Sequence, residues 1–267
     1  GIKTHLIEGT NIEEWKKYIN KNTKCVFIET PSNPTMEIVD IEAVSKIAHQ
    51  YEAKVIVDNI FASPVLQKPI SLGADIVIYS GTKHIDGQGR SMGGAIMSSK
   101  KFYEENLKPF VRHTGPSISP FNAWILLKGI ETLDIRMEKH CSNALQISNY
   151  LISNKNVEKT IYPFLINHPN YELAKKQMLK GGSVVTFTIK NNNAFNLMNN
   201  LKLFDISNNI GDTKSLVTHP ATTTHRVIGE EGRKKLNITD NMIRLSIGLE
   251  DINDLIEDLD SAFKHLE

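Results

Sequence analysis

The chain has 267 residues, of which 31 are basic and 30 acidic, with a formal net charge of +1 and a hydrophobic share of 40%. That length suits one large α/β domain plus a smaller one, and the balanced charge excludes the electrostatic bias of a nucleic-acid or anionic-membrane binder. No apolar run approaches the roughly 18 residues of a membrane span. The two cysteines, Cys25 and Cys141, form neither a disulfide framework nor a CxxC pair, so a reducing, cytoplasmic setting is expected.

Residues 25–29 read as a first strand, followed by the turn-rich Thr30-Pro31-Ser32-Asn33-Pro34-Thr35. Asp40 is placed to cap a helix whose apolar residues Ile41, Val44, Ile47 and Ala48 recur at helical spacing. A second strand, residues 54–58, ends in the carboxylate of Asp58. A short helical piece near residues 64–67 precedes the apolar run 75–79, which stops at Ser80-Gly81-Thr82-Lys83-His84. After a glycine-rich stretch, residues 87–94, another strand is expected at 95–97. Residues 119–154 are predicted to be helical throughout. Strands follow at 183–189, 201–206, 215–217 and 242–247, with helices between them and an amphipathic helix over 251–266. Asn191-Asn192-Asn193 reads as a turn or cap. Strands separated by helical patterns predict a mostly parallel α/β sheet over residues 1–134 and a smaller α/β unit over 135–267.

Strands of this kind place their carboxyl ends along one ligand crevice. Asp58 and Lys83 then fall on the same edge, carrying opposite charges toward one ligand, with the hydroxyls of Ser80 and Thr82 beside them. A lysine amine there can form a Schiff base with a carbonyl, and pyridoxal 5′-phosphate is the common cofactor held this way, with an acidic partner on its pyridine nitrogen. Other motifs fail on spacing. Gly87-x-Gly89 is followed by glycine only at Gly93, one residue too far for the dinucleotide fingerprint, and it precedes a strand rather than a helix. His219 and His225 lack the spacing and acidic neighbours of a zinc site, so no metal is expected.

Four blocks in order, Glu29-Thr30-Pro31-Ser32-Asn33-Pro34, Val57-Asp58-Asn59, Ser80-Gly81-Thr82-Lys83 and Arg244-Leu245-Ser246-Ile247-Gly248-Leu249-Glu250-Asp251, resemble the successive signatures of the Cys/Met-metabolism family of pyridoxal-phosphate enzymes. The resemblance covers essentially the whole chain and implies the type I fold of these transferases, with a mostly parallel central sheet flanked by helices and a smaller C-terminal α/β domain. It implies that Lys83 forms the Schiff base and moves protons, that Asp58 pairs with the pyridine nitrogen, and that Asn33 lies beside the ring hydroxyl. Ser80 and Thr82 would touch the phosphate, Arg244 would grip the substrate α-carboxylate, and Ser215 would line the same pocket. The blocks starting at His84, Arg112 and Ser215 look most like the O-succinylhomoserine sulfhydrylase branch. That branch implies γ-replacement on an O-acylated homoserine with sulfide to give homocysteine in methionine biosynthesis. Cystathionine γ-synthase or methionine γ-lyase chemistry on the same site, or an inactive fragment, are the alternatives.

The family also implies a homotetramer of active dimers and a segment ahead of the block matching Gly1. That segment would supply a ring-stacking aromatic, phosphate-binding backbone, and a tyrosine and an arginine for the neighbouring subunit. Those positions have no counterpart here. Gly81 stands where alanine is common, and Ile60 where threonine or valine is usual.

Overall fold

A computed structural model describes residues 1–191 and 193–266; Asn192, in the middle of the predicted asparagine turn, lies outside the described residues. Two sheets carry the fold. In the first, β1 (Cys25–Glu29), β2 (Lys54–Asp58) and β3 (Ile76–Ser80) run parallel, and β4 (Gly94–Ser98) pairs antiparallel with β3. The order β1-β2-β3-β4 is sequential. Val26, Ile28, Val55 and Val57 pack into one cluster with Val44 and Ala48 of the helix Ile41–His49. Asp40 caps that helix, its Oδ1 accepting the Ala43 N–H at 2.9 Å. Register sets Glu29 opposite Asp58, and Asp58 opposite Ile78. Three parallel carboxyl ends therefore share one edge, the edge from which the Lys83 turn departs.

The second sheet comprises β5 (Val157–Ile161), β6 (Val184–Ile189), β7 (Asp205–Ile206), β8 (Leu216–Thr218) and β9 (Met242–Ser246), in the order β5-β6-β9-β8-β7. All pairs are antiparallel except β7 with β8. Ile147 and Leu151 from the helix Leu133–Ser153, and Leu255, Leu259 and Phe263 from the helix Ile252–Lys264, bury with Phe187 and Leu245 of the sheet. Each such side chain contributes about 1.5–3 kcal/mol by leaving water.

Several elements depart from expectation for local reasons. The helical stretch expected over 119–154 is present as two helices, Pro120–Glu131 and Leu133–Ser153. Arg136 Nη2 donates to the Gly129 carbonyl at 2.8 Å, where a continuing helix would need that oxygen for the residue-133 N–H. The strand expected over 201–206 shrinks to Asp205–Ile206, because the N–H groups of Lys202 and Leu203 go to the Asp258 carboxylate. Strand β5 is too polar to announce itself, and the helix Ile12–Tyr18 too short. Among the described residues no helix is long and apolar enough to cross a membrane.

Candidate active site

The segment Gly81–Ile85 leaves β3 as a single wide helical turn, closed by Asp86 N–H on the Gly81 carbonyl (2.9 Å) and by Gly81 N–H on the Gly93 carbonyl (2.7 Å). His84 secures it. Its Nδ1 faces the Ile60 carbonyl at 3.2 Å and so must carry the proton, which leaves Nε2 to accept the Ser183 hydroxyl at 2.8 Å. Arg136 Nη1 donates to the His84 carbonyl at 2.6 Å. Gly211, with φ of 74°, runs so close that a side chain there would meet His84 N at 2.7 Å. That approach carries Asn209 to the turn.

Lys83 Nζ donates to Asn209 Oδ1 at 2.5 Å. Burial, with the charge of Arg244 added, holds this amine below the ordinary lysine range, in the direction a nucleophile or base requires. Asp58 is half-buried, and burial raises its carboxyl against the Ile60 N–H that Oδ1 accepts at 3.1 Å. A partly desolvated carboxylate of this kind is stabilised by a cationic partner.

Arg244, on β9, is 2% exposed. Its Nη1 donates to Asn33 Oδ1 at 2.8 Å and its Nη2 to the Asn208 and Asn209 carbonyls at 2.9 and 3.2 Å, whereas Nε has no partner among the described residues. Burial lowers its pKa to about 10, opposed by the Glu29 carboxylate. The Asn33 turn is pinned from two sides: Thr186 Oγ1 on β6 donates to the Pro34 carbonyl at 2.7 Å, and Gln67 Nε2, after the short helix Ser63–Leu66, to the Thr30 carbonyl at 2.9 Å. His225 stands against the Asn33 carbonyl and near Arg244; burial and that charge lower its pKa. Glu29, at the end of β1, accepts the Asn33 N–H at 2.6 Å. Burial pushes its carboxyl up to about 7, with Asp58 adding to the rise and Asn33 and Arg244 opposing it.

Of the residues singled out in the sequence, Lys83 is thus linked to Arg244 through Asn209, Arg244 bonds directly to Asn33, and Asp58 lies in register beside Glu29. Thr82 Oγ1 accepts the Gly93 N–H at 3.2 Å, which leaves its own O–H to donate. Ser80 ends β3, opposite Gly94. Ser215 is held by Glu250 and Gly248. Its hydroxyl donates to Glu250 Oε2 at 2.9 Å and accepts the Gly248 N–H at 2.9 Å, and its own N–H goes to Glu250 Oε1. Asn209 escaped the sequence reading, and Glu29 and Glu250 were quoted within motifs without a role. For Asn209 the one available signal was turn chemistry in Asn208-Asn209-Ile210-Gly211.

The profile of Cys/Met metabolism PLP-dependent enzymes matches residues 1–264. The chain belongs to that family. Its members use pyridoxal 5′-phosphate. The chain is 48% identical to an O-succinylhomoserine sulfhydrylase of Mycobacterium tuberculosis, a match over 98% of this chain and 66% of the relative. It is 42% identical to an O-succinylhomoserine sulfhydrylase of Pseudomonas aeruginosa, over 97% of this chain and 64% of that one. An L-methionine gamma-lyase of Fusobacterium nucleatum is 41% identical over 100% of this chain and 68% of its own length. The chain therefore spans about two thirds of the length of these curated relatives, between 64% and 68%. Among solved structures, metB from Corynebacterium glutamicum superposes with a TM-score of 0.94 at 38% identity, covering 98% of this chain and 68% of that one. The family cofactor fits the donors present: a lowered-pKa amine, a carboxyl in want of a cation, a free hydroxyl hydrogen on Thr82, and a buried arginine N–H without an acceptor.

Proposed function

We propose that the complete protein carries out γ-replacement on an O-acylated homoserine, O-succinylhomoserine in the first instance, with sulfide as the second substrate and homocysteine as product, in methionine biosynthesis. The observation that carries this reading is the 48% identity to an O-succinylhomoserine sulfhydrylase across 98% of the chain. The joining of Lys83, Asn33 and Arg244 supports it. Pyridoxal phosphate, when bound, supplies a sink for the electron pair left as a proton leaves the substrate Cα.

The chain's own residues do the rest. Lys83 would hold the cofactor through Nζ, and Asp58 would keep its pyridine nitrogen protonated. Ser80 and Thr82 would hold its phosphate by their hydroxyls, and Asn33 would stand beside its ring hydroxyl. Arg244 binds the α-carboxylate and fixes the direction of the Cα–H bond, since orientation contributes several kcal/mol to such steps. The Lys83 amine, which burial holds below ordinary lysine basicity, would take the proton at Cα and return it. Ser215 supports the carboxylate pocket through the Glu250 and Gly248 contacts. The reading includes a cytoplasmic homotetramer of active dimers.

Two measurements test it. Lys83→Ala is expected to abolish the visible absorption band that pyridoxal phosphate gives with the parent protein, and an unchanged band removes Lys83 from its role. A panel of O-succinyl- and O-acetylhomoserine, each with sulfide and with cysteine, identifies the reaction. Turnover with cysteine alone indicates cystathionine synthesis, and release of the γ-substituent without sulfide indicates elimination, the activity named for the methionine gamma-lyase relatives.

A further inference from the structure

Glu29 has no part in the roles above, yet it stands where they meet. It ends β1 opposite Asp58 in the sheet register, and its Oε1 accepts the N–H of Asn33 at 2.6 Å. The Asn33 side-chain oxygen in turn accepts Arg244 Nη1 at 2.8 Å. A carboxyl, a turn and a guanidinium thus form one chain of contacts from the first sheet to the second. We propose that Glu29 is a positioning residue of the carboxylate pocket: its carboxyl holds the Asn33 turn that aims Arg244, and its charge state sets how strongly Arg244 attracts a ligand carboxylate. The proposal rests on the reading of Arg244 as the carboxylate-binding group.

The groups facing Glu29 give the sign. Asp58 on β2 is a like charge, and Arg244 on β9 an opposite one. Lys83 and His225 bear on Arg244 from the lysine turn and from the loop beside Asn33. An ionised Glu29 offsets part of the Arg244 charge and repels an incoming carboxylate, whereas a protonated Glu29 does neither. Its carboxyl is raised to about 7, so the change falls across neutrality. Ligand carboxylates bind more tightly on the acid side of that point.

The test uses the protein with its cofactor bound and propionate, a carboxylate without an amino group, as probe. Its dissociation constant is measured by calorimetry from pH 6 to pH 8. The parent is expected to lose affinity several-fold across that range. Glu29→Gln keeps an oxygen for the Asn33 N–H and cannot ionise, so it should bind at pH 8 as tightly as the parent does at pH 6. Glu29→Ala removes the anchor as well and should bind several-fold more weakly than Glu29→Gln at every pH. Identical pH courses for the parent and Glu29→Gln, with binding still weakened by Arg244→Lys, overturn the role of Glu29 alone. Binding that Arg244→Lys leaves unchanged overturns both readings.

Discussion

His84 and His140 should make the native fold sensitive to mild acid, and the size of the effect follows from their burial. Both imidazoles are essentially inaccessible, at 1% and 0% exposure. Burial, reinforced by the neighbouring His140, lowers His84 to about 3, and burial lowers His140 to about 4. In the unfolded chain both return to about 6.5. Between those limits the unfolded chain binds protons that the native state refuses, so stability falls as pH falls. At 1.36 kcal/mol per pH unit, each histidine removes about 2 kcal/mol by pH 5, about 4 kcal/mol together. That is a large part of the 5–15 kcal/mol typical of a domain. Urea unfolding followed by circular dichroism at pH 5, 6 and 7.5 measures it, with His140→Asn as the reference. Asparagine keeps a donor for the Ile247 carbonyl, which His140 Nδ1 meets at 2.6 Å, and does not titrate. Between pH 5 and 6 the parent should lose about 1 kcal/mol more than the variant. Parallel curves would refute the claim that His140 is neutral in the native state.

Arg244→Lys replaces a fork by a point charge and gives up the Asn33 bond. It should raise KM for the amino-acid substrate by about 10- to 100-fold, the equivalent of one charged hydrogen bond at 1.5–3 kcal/mol. A change confined to kcat would place Arg244 elsewhere in the reaction. Gly129→Ala would set a methyl carbon 2.1 Å from the Ile85 carbonyl oxygen, at the point where the helix Pro120–Glu131 touches the Lys83 turn. A loss of about 1–3 kcal/mol is expected by calorimetric unfolding, and full stability would show that the turn yields easily.

The first sheet was legible because its strands are short runs of β-branched residues ending in polar groups, and its order follows the chain. Asp58 and Lys83 could be paired from that pattern alone. The second sheet was legible only in pieces. Its order β5-β6-β9-β8-β7 crosses the chain repeatedly, and polar Val157–Ile161 carries no clear alternation. Where side chains override the backbone, as Asp258 does at Lys202 and Leu203, the local pattern predicts too long an element. Arg244 and Asn33 were singled out through the family resemblance alone. Glu29 was quoted within a motif but had no assigned role, because its partners lie on three different elements.

The bond between Arg244 and Asn33 closes 211 residues of chain, whereas Asp58 and the Lys83 turn belong to strands that are neighbours in both sheet and sequence. Contacts between near neighbours form early in folding, and those closing long loops form late. On the proposed reading, the half of the site that would hold an aldehyde should therefore assemble before the half that would bind a carboxylate. During refolding the visible cofactor band should return ahead of propionate binding, and simultaneous recovery would contradict this order. A folding chain would for that interval take up its cofactor while still unable to distinguish an amino acid from a simple amine.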